Sequence, residues 1–170
     1  MSAGVSLAGD AARAAPTVIR DFGRLAPKFR AAVEQALALC DQASLHAVVY
    51  ETYRSEELQS LYYARGRTQI PPHETVTNAS SNLYSWHGYG LAVDVIHATL
   101  EWGASPSWFE SVANCFRQCG CRWGGEWTKP DLPHFQWGLC KPSPSSRARE
   151  LILSGGVQAV WDAVGASAEP

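Results

Sequence analysis

Ser85-Trp86-His87-Gly88-Tyr89-Gly90-Leu91-Ala92-Val93-Asp94 is the stretch on which the fold turns. Its second half continues into Val95-Ile96, an apolar run of strand length with a carboxylate inside it. An ionised group taken out of water costs several kcal/mol unless a cation or hydrogen bonds meet it, so Asp94 calls for a cationic partner. His87 stands seven residues earlier, a spacing that a rigid two-residue period would not bring to the same point. Gly88 and Gly90 let the backbone turn between them. Further on, Asp131-Leu132-Pro133-His134-Phe135-Gln136-Trp137 offers a second histidine with a carboxylate three residues before it. Pro133 holds Leu132 extended and so fixes the entry into a short closing strand.

His87, Asp94 and His134 together are a ligand set for a metal with an open coordination position, and zinc is the expected ion. Taken singly, each has a plainer reading. His87 can be a capped loop histidine, Asp94 a salt-bridge partner of Arg54, and Asp131 a turn residue. Two neutral imidazoles and one carboxylate leave zinc a net charge near +1, and such a centre brings bound water from a pKa near 15.7 to about 7. Asp131 then has a task as general base toward water and as proton donor to a leaving amine. Arg54 is the candidate cation for a tetrahedral oxyanion or a substrate carboxylate, with a structural bridge to a core Asp as the competing role. A facial triad for non-haem iron uses the same residue types, but there the carboxylate usually follows the first histidine by two residues, and Asp131 would be idle.

Outward from these motifs, Phe29, Val33, Ala36, Leu37 and Cys40 mark a helix over 27–40, and the alternation over 45–53 marks a strand that ends at Arg54. Ser55-Glu56-Glu57-Leu58 then caps a helix running to Gly66, and 68–81, with two prolines, reads as a surface loop. A helix is expected over 105–120, capped by Ser105 or Ser107, with Trp108, Val112, Cys115 or Phe116 and Cys119 inward, ahead of a Gly124-Gly125 turn. After Pro142 and Pro144, two amphipathic stretches meet at Gly155-Gly156. Residues 1–16 read as a loose tail, 17–141 as one catalytic domain and 142–170 as a helical extension packed on it.

The 170 residues, 46% of them hydrophobic, suffice for one core without disulfides. A net charge of −2 with scattered Lys and Arg disfavours nucleic acid, and no apolar run reaches the roughly 20 residues of a membrane span. The N-terminus lacks a basic leader with an apolar core, so synthesis and folding in the cytoplasm are expected, as a monomer. The five cysteines are then free thiols. Cys115, Cys119 and Cys121 form a cluster without the paired spacing of a zinc knuckle.

The motifs resemble the zinc D-Ala-D-Ala carboxypeptidase and L-alanyl-D-glutamate peptidase group, which includes VanY-like enzymes and phage endolysins. The resemblance rests on Tyr53-Arg54-Ser55 with Gln59 and Gly66-Arg67, on Val76-Thr77-Asn78-Ala79, on Ser85 to Asp94, and on Trp123-Gly124-Gly125-Glu126-Trp127 before Asp131 to Gln136. It implies an α+β fold, a small antiparallel sheet flanked by helices as in Hedgehog/D-Ala-D-Ala peptidases. It implies zinc on His87, Asp94 and His134, catalysis by Asp131 and Arg54, substrate contact by Arg54 and Ser85, and the peptidoglycan stem peptide as substrate. Asp131, where the dipeptidase branch has Glu, resembles the L-alanyl-D-glutamate endopeptidases. Glu126 stands where that branch often has Asp.

Overall fold

The computed structural model describes residues 16–65, 67 and 75–169. The 1–15 part of the expected tail, Gly66 and residues 68–74 of the expected loop lie outside the described residues. Within them the chain forms an α+β domain: α1 (Pro27–Gln42), β1 (Ala47–Glu51), α2 (Glu56–Ala64), β2 (Ala92–His97), α3 (Pro106–Gln118), β3 (Cys121–Trp123), β4 (His134–Trp137) and α4 (Ser146–Ala163). All strand pairs are antiparallel, in the order β1-β2-β4-β3.

Register sorts the side chains into two faces. Val93 pairs with Phe135, which pairs with Trp123; Val95 pairs with Val49. These residues share one face, against which α1 and α3 bury Phe29, Val33, Phe109 and Phe116. On the other face Asp94 pairs with His134 on one side and with Glu51 on the other. Strict alternation would put Glu51 on the same face as Val49. The register shift between Val49 and Glu51 makes Tyr50 an extra residue and turns Glu51 over to Asp94.

Several expected boundaries move. β1 begins at Ala47 because Ser44 and His46 have φ of 54° and 52°, which no strand accommodates. Ser105, rather than Ser107, caps α3, its Oγ accepting from the Trp108 N–H at 3.2 Å. Trp108 and Cys119 are only half-buried; Phe109, not anticipated, is the buried one on that turn. β3 was not legible, since three residues show no period. The two C-terminal stretches are helical and are interrupted at Gly156, whose φ of 70° and ψ of −172° are not helical, as the glycine pair implies. All five cysteines are free, four of them buried. No helix among the described residues is long and apolar enough to cross a membrane.

Candidate metal centre

β2 and β4 deliver Asp94 and His134 as direct cross-strand neighbours, and the turn Trp86–Tyr89 brings His87 over them. That turn depends on its glycines. A Cβ at Gly88 would lie 2.2 Å from the Asn82 carbonyl oxygen, and Gly90 closes the turn at φ 67°, where a Cβ would meet the Arg24 carbonyl at 2.3 Å. α4 braces it from outside: the Trp161 indole donates to the Tyr89 carbonyl at 2.7 Å.

His87 Nδ1 lies 2.9 Å from the Thr52 carbonyl, which can only accept, so Nδ1 carries the proton and Nε2 has the lone pair. His134 is held the other way, with Nε2 2.9 Å from Gln136 Oε1, while the Gln136 amide donates to the Lys141 carbonyl at 2.7 Å. That donation fixes the amide orientation, so His134 Nε2 donates and Nδ1 is left free. The two free nitrogens converge on one oxygen, Asp94 Oδ1, at 3.3 Å from His87 Nε2 and 3.8 Å from His134 Nδ1. One ligand atom from each of the three residues lies within 4.8 Å of the others.

This arrangement fits a metal ion on two further counts. His87 Nε2 is fully buried yet makes no hydrogen bond, although Asp94 is near, and such orphaned atoms are rare. Two buried carboxylates, Glu51 and Asp94, share one buried guanidinium, Arg54, which leaves a negative charge without a buried cationic partner. Burial pushes His134 down to about 4, so it stays neutral as a ligand must. Burial works against the Asp94 carboxylate, but the adjacent His87 imidazole and the Arg54 guanidinium outweigh it and hold the group ionised.

Arg54 sits at the strand-to-helix corner, only 7% exposed. Glu51 grips it at both ends of a fork, Nε to Oε1 at 3.0 Å and Nη2 to Oε2 at 2.6 Å. Nη2 reaches Asp94 Oδ2 at 3.4 Å, and Nη1 donates to Gln59 Oε1 at 3.0 Å. Thus the bridge to the strand carboxylate exists, and it leaves Asp94 Oδ1 for the histidines. Of the five guanidinium hydrogens, one on Nη1 has no partner among the described residues. Glu51 carried no sequence signal as a site residue, because the bulge that turns it inward arises only in the paired sheet. Gln59, noted only as part of a motif, ties Arg54 to the cleft wall by donating to the Ala79 carbonyl at 2.7 Å.

Asp131 faces the cleft from the β3–β4 connection. Gly124 permits this: the Asp131 N–H donates to its carbonyl at 2.9 Å, and a Cβ there would meet the Asp131 carbonyl oxygen at 2.7 Å. Desolvation by the surrounding chain, with Asp94 second, pushes the Asp131 carboxyl up to about 6, though the residue as a whole keeps solvent-exposed surface. Glu126 also lines the cleft, but its Oε1 is engaged, accepting from Arg117 Nε and Nη2 at 3.0 and 2.6 Å. Ser85 lines the cleft, about 1140 Å³ in volume, together with Arg54, His87, Asp94, Asp131 and His134. Trp127 lies against the His134 ring, centroids 4.8 Å apart. The cysteine cluster forms no metal-holding group; among the described residues the His-Asp-His set is the sole one.

The chain is similar to known proteins over the segment that forms this centre. The family described as D-alanyl-D-alanine carboxypeptidase matches residues 78–137, the segment that carries His87, Asp94, Asp131 and His134. The L-alanyl-D-glutamate peptidase of Listeria phage A118 is 29% identical over 125 residues, covering 70% of this chain; the chain spans 40% of that relative's length. Among solved structures, the Serratia marcescens L-Ala D-Glu endopeptidase ChiX superposes with a TM-score of 0.50 at 24% identity, covering 68% of this chain and 82% of that one. VanYB in complex with D-alanine-D-alanine does so with a TM-score of 0.50 at 12% identity, covering 81% and 82%. The two structural likenesses establish a shared fold, and the family model adds a sequence similarity over residues 78–137, the segment that forms the centre.

Proposed function

We propose that the protein is a zinc-dependent peptidase acting on the stem peptide of bacterial peptidoglycan, and that it cuts between L-Ala and D-Glu. The observation that carries this reading is the pair of histidine nitrogens, each freed by a fixed hydrogen bond on its other side and both aimed at Asp94 Oδ1 beside the cleft that Asp131 faces. His87, Asp94 and His134 would hold the ion, which would supply a Lewis acid for the scissile carbonyl and for water. Asp131 takes the proton of the attacking water and passes it to the leaving amine, a role its raised pKa of about 6 suits. Arg54 keeps Asp94 oriented and offers its remaining Nη1 hydrogen to substrate, and Ser85 lines the approach. Residues 17–141 are the catalytic unit, with 142–170 bracing the His87 turn.

The branch assignment draws on Asp131 and on the phage and Serratia relatives named for the L-Ala-D-Glu activity. A phage endolysin that acts after the membrane has been permeabilised fits that branch. Digestion of purified peptidoglycan followed by mass spectrometry tests the reading. New D-glutamyl amino termini are expected. Release of terminal D-alanine alone would make the protein a carboxypeptidase of the same family, and cleavage confined to glycan bonds would overturn the peptidase reading.

A further inference from the structure

The chain has seven tryptophans, and five of them act as staples. The indoles of Trp86, Trp108, Trp123, Trp137 and Trp161 donate to the backbone carbonyls of Lys141, Leu45, Leu132, Val164 and Tyr89, all at 2.7 or 2.8 Å. Among the described residues Trp102 and Trp127 make no such bond, and both line the cleft. Trp127 is accounted for by its contact with His134. Trp102 is not accounted for.

Trp102 is 47% exposed and packs edge-to-face on Tyr50, ring centroids 4.7 Å apart. Tyr50 is the bulged residue of β1, a strand at the sheet edge, and the Arg20 guanidinium lies 5.0 Å over its ring. The turn that presents Trp102 is fixed rather than loose. His97 and Glu101 exchange backbone hydrogen bonds at 3.3 and 2.9 Å, and His97 Nδ1 accepts from the Thr99 and Leu100 N–H groups at 3.0 and 3.1 Å. Glu101 takes φ 51°, an unfavourable conformation for a non-glycine residue that surrounding structure must hold in place. The fold thus maintains strain in a turn that displays an indole, with a free N–H, at the rim of the cleft.

An aromatic surface with the Trp102 N–H and the Tyr50 O–H without partners among the described residues suits a ligand ring that has a C–H face and acceptors at its edge, which describes a pyranose. The carboxylates of a peptide are better served by Arg65 and Lys129, cations that line the same cleft. We propose that Tyr50 and Trp102 form a saccharide subsite, taking the neutral N-acetylated hexopyranose to which the stem peptide is attached. This rests on the peptidase reading above and adds to it a preference for glycan-linked over free peptides.

Two measurements on the zinc-loaded protein test it. Titration with tri-N-acetylchitotriose, followed by saturation-transfer NMR, should show transfer to the sugar ring protons, lost in Trp102→Ala and kept in Trp102→Phe, with melting curves verifying that both variants fold. The kcat/KM for a muramyl-linked stem peptide should exceed that for the same peptide without sugar by about tenfold, the scale of one aromatic stacking contact, and the ratio should fall toward one in Trp102→Ala. Saccharide binding unaffected by Trp102→Ala, or a ratio near one in the unaltered protein, overturns the subsite while leaving peptide cleavage intact. Saccharide binding that needs Trp102, in a protein that cuts no stem peptide, supports the subsite and overturns the peptidase reading.

Discussion

The two faces of the four-stranded sheet are written by alternate residues of the same strands and obey different physics. Toward α1 and α3, Val93, Val95 and Phe135 are wholly buried and need only volume and apolarity from their neighbours. On the opposite face Glu51, Gln136, His134 and Asp94 are nearly as buried, yet almost every polar atom there has an assigned partner. Burial therefore does not separate the packing face from the chemical one. The one fully buried side-chain atom without a hydrogen bond among the described residues, His87 Nε2, does.

The comparison is most easily broken at the ligands. His87→Ala, Asp94→Ala and His134→Ala should each lose the one zinc expected per chain and fall to background activity while still melting cooperatively; metal analysis showing full occupancy in all three would remove the distinction. Asp131→Asn should keep its metal and lose roughly 10² to 10⁴ in kcat. In the unaltered protein the deprotonated Asp131 is the active form, so kcat/KM should decline as pH falls through about 6, or lower once a bound cation favours the carboxylate. A pH profile without that acid limb would move the base elsewhere.

Phe135→Ala sharpens the contrast from the other side. It should cost about 3 to 5 kcal/mol of stability by denaturant titration, and the fraction that remains folded should bind metal normally. Glu51→Gln keeps the shape but replaces a charged acceptor of Arg54, so a loss of about 1.5 to 3 kcal/mol is expected, with weaker zinc affinity because Asp94 loses its restrained neighbour. Unchanged stability and affinity would mean that the inward turn of Glu51 is incidental. The smallest effect belongs to Glu126→Gln, which removes only an exposed pair with Arg117 and should change stability by less than about 1 kcal/mol with turnover intact. A large fall in turnover there would restore Glu126 as a candidate base.

Much of this was legible in the chain. Phe29, Val33, Ala36 and Cys40 are buried as their helical spacing requires, and the apolar run around Asp94 is the central strand. Gly88 and Gly90 are needed where the sequence suggested a turn. Boundaries and short pieces were less readable, because a three-residue strand such as Cys121–Trp123 has no period of its own and is a strand only by pairing with β4. Gly124 looked like half of a turn; its close approach to Asp131 becomes visible only when the connection folds back.

The amino-acid sequence by itself determined the helices, the central strand and the residue types of the centre, since periodicity, capping and the cost of a lone buried carboxylate are properties of local chain chemistry. Tertiary structure alone decided which nitrogen of each histidine is free, because Thr52 and Gln136 set the tautomers from 35 and 2 residues away. It also decided that Glu51 joins the site. A one-residue bulge at Tyr50 reverses the face of every residue after it, and a bulge is a property of two paired strands rather than of either one.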